Sequence, residues 1–121
     1  MANFSNTIFD NGLSAVQSAA NEIRICSSDP TTFVESTTAT LGTKTNPTFT
    51  APSDRTGGGR EIVSTAFSDG SVTANGTATH YAVVDTTTSD LLATGALSTS
   101  QVVTSGNSFS LDSFSIFIPV A

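Results

Sequence analysis

With 121 residues and 12.3 kDa, the chain can build one modest hydrophobic core, which excludes a catalytic cleft between two domains. About a third of it is Ser or Thr, 12% is charged and Trp is absent, a mixture suited to extended β surfaces rather than helical bundles. The net charge is −6 and the four basic residues, Arg24, Lys44, Arg55 and Arg60, stand apart from one another. There is therefore no clustered cationic footprint to neutralise phosphates, and nucleic acid is not an expected partner.

Taken in order, the chain opens Met1-Ala2-Asn3-Phe4 with neither a basic nor an apolar leader, and no run approaches the ~18 apolar residues of a membrane helix. The expectation is a protein made in the cytoplasm, not exported by a signal peptide and not membrane-bound. Phe4 to Ala20 carries a helical period, with Phe4, Ile8, Leu13 and Val16 on one side and Asn6, Asp10, Gln17 and Ser18 on the other. Gly12 is a flaw in that helix, costing about 1 kcal/mol relative to Ala. Glu22 to Cys26 follows as a short strand, stopped by the turn Ser27-Ser28-Asp29-Pro30. The next segment, Thr31 to Arg60, has Pro47, Pro52, three consecutive glycines and no clear period. It reads as an extended contact segment that orders on a partner.

Regularity returns at Arg60 to Phe67, a strand that Ser68-Asp69-Gly70 should turn into a hairpin with the next one. That next stretch, Gly70 to Thr86, is the one around which the other segments are organised. Its half from Thr77 to Asp85 is β-branched and aromatic, with neither face fully polar, and reads as a central strand covered on both sides. After a turn at Thr87 to Asp90, a strand over Leu91 to Leu97 breaks at Ser98-Thr99-Ser100. Gln101 to Thr104 and Ser108 to Leu111 look like a further hairpin, and Ser113 to Ile118 closes the chain. Short strands with a turn about every ten residues imply a mainly β fold. The expected architecture is an antiparallel β-sandwich or small barrel of six to seven strands with one N-terminal helix, in one domain: a helical part to residue 21, the contact segment 31–60 and a β scaffold over 60–119.

Few residues suggest chemistry. Cys26 is the single cysteine and, in an apolar run, reads as a small buried hydrophobe. His80 is the single histidine; Asp85 or Asp69 could be drawn as its helper, but no Ser occupies a nucleophile-elbow setting, and a structural histidine is the expectation. The carboxylates are dispersed, mostly at turns, without calcium-loop spacing. Gly57-Gly58-Gly59 lacks the Lys of a phosphate loop and reads as a flexible joint. Neither catalysis, nor a metal, nor a cofactor is expected.

One resemblance runs through nearly the whole chain. Ile25 to Phe33, Gly59-Arg60, Gly76 to Asp85, Leu91-Leu92-Ala93 and Val103 to Asn107, in that order, resemble a widespread group of small tailed-phage proteins. The resemblance implies a place among virion head and tail structural proteins. Within that setting, a small acidic Ser/Thr-rich β domain looks like a capsid decoration (cement) protein. It would bind the major capsid protein on the outside of the head as a homotrimer; the alternative is a tail, neck or fibre component that touches a host surface. The residues expected to make partner contacts are Phe4, Ile8, Phe33, Val34, Leu41, Phe49, Arg55 and Arg60, from the helix and the contact segment.

Overall fold

The computed structural model describes residues 5–119, and its fold is mainly β. Helix α1 (Asn6–Ala19) leads into β1 (Glu22–Cys26), followed by α2 (Phe33–Ala39) and strands β2 (Thr40–Thr45), β3 (Ser53–Asp54), β4 (Arg60–Ser64), β5 (Phe67–Val72), β6 (Gly76–Asp85), β7 (Asp90–Val103), β8 (Ser108–Leu111) and β9 (Phe114–Ile118). Six strands form a curled sheet in the order β7-β6-β1-β2-β5-β8, and three form a small sheet in the order β3-β4-β9. Every pairing is antiparallel.

The main core lies between the two sheets. Ile23 of β1 and Val83 of β6, directly opposite each other, meet Leu13 of α1, Ile62 of β4 and Phe49, with Ile116 and Ile118 of β9 packed against them. Alternation along the strands sends the intervening residues to the other face of the large sheet. There Cys26, Ala82 and Val84 pack under Ala39 of α2, with Phe33 and Leu91 at the margin. The expectation that the Thr77 to Asp85 strand is covered on both sides therefore holds. It is an interior strand, although β1 and β2 lie nearer the middle of the sheet.

Gly12 does not break α1; a Cβ there would make an ordinary van der Waals contact, 3.6 Å from Cδ1 of Ile118, on the side of the helix that faces β9. Two other glycines lie beneath aromatic rings. A Cβ on Gly70 would overlap the Phe109 ring and one on Gly95 the Tyr81 ring, which explains small residues inside two strands.

Several expectations are corrected. Segment 31–60 is no appendage: β2 runs through the interior of the large sheet between β1 and β5, and a second helix precedes it. The scaffold therefore starts at β1 rather than at residue 60. β4 does not form a hairpin with β6 but pairs with β9 and β3. Ser68-Asp69-Gly70 is not a turn; it lies within β5, where the register with β8 shifts between Phe67 and Gly70. β7 and β8 are joined by a turn that donates Asn107 N–H to the Thr104 carbonyl, yet they end opposite sides of the sheet and do not pair.

Candidate functional site

The outer face of the small sheet is where the sequence places an aromatic ring and a cation in the open. In the β4–β9 ladder Ile62 faces Ile116, both on the core side, so the alternate pair Glu61 and Phe117 points outward. Phe117 is 43% exposed, and the Arg55 guanidinium carbon sits 3.8 Å above its ring centroid, a cation–π stack. The glycine run holds Arg55 there. Gly57, Gly58 and Gly59 all adopt positive φ, a conformation that costs glycine little. The loop they form lets Arg55 N–H donate to the Gly59 carbonyl, Gly58 N–H to the Arg55 carbonyl, and Arg55 Nη1 to the Gly58 carbonyl at 3.2 Å. The triplet expected to be a flexible joint is a tight, hydrogen-bonded turn.

Beside it Arg60 ties three elements together. Its Nε and Nη2 donate to the Asp10 carboxylate of α1 at 2.8 and 3.1 Å, Nη1 donates to Asp54 of β3 at 2.7 Å, and Nη2 also reaches the Pro52 carbonyl. Its hydrogen bonds to Asp10 and then to Asp54 push its basicity above the ordinary arginine range. Arg60 thus carries no spare charge for a partner, whereas Arg55 makes no ion pair among the described residues.

The other expected contact residues do not converge. Phe4 lies outside the described residues. Ile8 on α1 is 55% exposed and Val34 on α2 is 72% exposed, but the two helices cover opposite faces of the large sheet. Phe33 is half-buried with the Arg24 guanidinium 4.8 Å from its ring. Leu41 and Phe49 are core residues, so neither awaits a partner: the fold itself buries them.

Under α2 lies a polar network that serves the fold. Arg24 is buried and pairs with Glu22 at 2.6 Å, while its Nη1 donates to Ser36 and Thr37 hydroxyls at 3.0 and 2.9 Å. A buried guanidinium with these partners satisfied fixes α2 on the sheet. Cys26 is wholly buried next to it; burial pushes its thiol up to about 11, with Arg24 opposing and Asp29 adding to the shift. His80 is half-buried, its Nδ1 2.9 Å from the Thr79 hydroxyl. The two aspartates drawn as its helpers are engaged elsewhere: Asp85 accepts from Thr87 N–H and Asn21, and Asp69 pairs with Lys44. Among the described residues no group of three His, Cys, Asp or Glu side chains could hold a metal, and no helix is long and apolar enough to cross a membrane.

A second open feature was not foreseen. Between β7 and β8 runs a groove of about 700 Å³, lined by Ser98, Gln101, Phe109, Asp112 and Phe114 among others, with Ile25 and Tyr81 also lining it. Tyr81 stacks on Phe114 with centroids 4.1 Å apart, and burial raises its phenol. A sequence signal for this region exists: no residue between Asp90 and Asp112 is charged, the longest such run in the chain. No known family model, curated protein or solved structure matches this chain.

Proposed function

We propose that this chain is a virion structural protein of a tailed phage, a decoration protein that binds the outside of the head and cements neighbouring major capsid subunits, as a homotrimer. The observation that carries the contact part of this reading is the Arg55–Phe117 stack on the outer face of the small sheet. Aromatic and arginine side chains supply most of the energy at the centres of protein interfaces. Here they are held on a rigid turn and ladder, so little ordering entropy is lost on binding. The likeness of the Ile25 to Phe33 and Gly76 to Asp85 stretches to small phage proteins supplies the setting. A decoration role needs a sturdy, self-contained β unit with a contact face and no chemistry, and many identical copies binding the shell would stabilise it by mass action. A trimer would match the local threefold sites of a capsid.

The test is decoration of undecorated heads by purified protein. Wild type is expected to bind in hundreds of copies and raise the temperature at which heads release DNA, while Arg55→Glu and Phe117→Ser, still folded by circular dichroism, bind at least about tenfold more weakly. A handful of copies per particle would instead favour the tail, neck or fibre reading. Full binding by both variants would remove this face from the interface.

A further inference from the structure

The large sheet curls without closing, and its two end strands, β7 and β8, both line the groove of about 700 Å³. Such a mouth is where β-barrels hold small ligands, and the volume is that of a small-molecule site. Ile25, Ala78 and Phe109 form its floor; all three are buried in one core cluster. The rim is polar and exposed, with Ser98, Thr99 and Gln101 from β7, Ser110 from β8 and Asp112 from the link to β9. The stacked rings of Tyr81 and Phe114 complete the lining. Gly95 of β7 makes room for the phenol, which any Cβ there would overlap. Among the described residues no hydrogen bond or ion pair engages the Tyr81 hydroxyl, the Gln101 amide or the Asp112 carboxylate. Nor are these groups sealed from solvent, since no buried side-chain nitrogen or oxygen among the described residues lacks a partner.

We propose that this groove binds a short neutral saccharide. The lining chooses that class by its hydrogen-bonding capacity. Asp112 is the only charged residue in it, so an anion would meet a carboxylate and no cation. An ammonium group only donates, which suits Asp112 but leaves the Gln101 amide N–H and the hydroxyl donors unmatched. A sugar hydroxyl both donates and accepts, as the Ser, Thr, Tyr and Gln side chains here do. The pyranose ring adds a C–H face that can lie on the aromatic and aliphatic lining. An extended peptide would need a regular edge to pair with, and bulges interrupt the ladders that carry both end strands, between Ala78 and His80 under β7 and between Phe67 and Gly70 under β8. The inference does not rest on the capsid reading, because it concerns the purified chain alone.

The experiment is a titration followed by amide NMR shifts, with maltotriose, mannotriose and triacetylchitotriose up to about 10 mM as neutral probes. Spermidine and trigalacturonate serve as the cationic and anionic probes. At least one neutral trisaccharide is expected to bind with Kd of about 1 mM, shifting amides of Ala96 to Val103 and Ser110 to Phe114, while the charged probes leave them in place. Tyr81→Phe keeps the ring and removes only an unpartnered oxygen, so it should unfold in urea like wild type yet bind about fivefold or more weakly, the worth of one hydrogen bond. Asp112→Ala should weaken binding to a similar degree, whereas Val34→Ser, on the helix across the sheet, should bind as wild type does. Absence of groove shifts with all three neutral sugars overturns the proposal, as do groove shifts from a charged probe alone or undiminished binding by either Tyr81→Phe or Asp112→Ala.

Discussion

Cys26 illustrates how burial sets the chemistry of a single residue. Its sulfur lies inside the layer between the large sheet and α2, where water cannot solvate a thiolate, so the thiol titrates at about 11 rather than near its ordinary value of 9.0. The folded state therefore holds this proton more tightly than the unfolded chain does. The stability that follows is fully present below about pH 9 and is lost as pH rises toward about 11. Two outcomes are expected. A disulfide reagent at pH 8 should modify Cys26 slowly in the native protein and rapidly in denaturant. The urea midpoint should fall between pH 9 and 11, and that fall should be smaller in Cys26→Ala, the remainder coming from other groups such as Tyr81, whose phenol burial also raises. Rapid native modification at pH 8 would mean the layer under α2 opens readily.

At the scale of elements, β2 decides whether the fold exists. Leu41 packs with Ile25, Val72, Ala78 and Phe109, and Gly42 sits where a Cβ would lie 2.7 Å from the Ser71 carbonyl oxygen of β5. Leu41→Ala should cost about 2–5 kcal/mol, measured by urea unfolding. Removing Thr37 to Pro52 should leave no cooperative transition, because β1 and β5 then lose the strand that joins them; a folded deletion variant would contradict this pairing. The difficulty of reading β2 from the sequence has a local cause. Thr40-Leu41-Gly42-Thr43-Lys44-Thr45 has one large apolar side chain, and its burial comes from neighbours far along the chain. α2 was missed because Glu35-Ser36-Thr37-Thr38 is rich in poor helix formers. Yet Thr32-Phe33-Val34-Glu35 has the spacing of a capping box, and the Thr32 hydroxyl caps the helix by accepting from Glu35 N–H at 3.0 Å while it also donates to the Glu35 carboxylate at 3.3 Å. By contrast α1, β1 and β6 were legible because their periods are strong. The Arg55–Phe117 site was half legible: Arg55 was named, but its ring partner is brought to it only by the β4–β9 ladder.

For the whole molecule, the distribution of charge matters more than its total. Three of the four cations are spent internally, fastening Arg24 to β1 and α2, Lys44 to β5 and Arg60 to α1 and β3. Arg55, the cation without an ion pair among the described residues, is the one turned outward, over the Phe117 ring. Asp69, whose carboxyl Lys44 holds below its ordinary value through a hydrogen bond, marks the closest ion pair to the β5–β8 bulge.

The strand order also sets a timetable. β1 ends up with β2 on one side and β6 on the other, so Glu22 waits for Val84, and β4 waits likewise for β9. A chain emerging from the ribosome can join β1, α2 and β2 early, but it must hold one side of β1 open until the β6–β7 hairpin arrives. Long-range pairings of this kind close slowly, in about milliseconds to seconds. Stopped-flow refolding is expected to fall in that range, and microsecond refolding would show that the early strands do not wait.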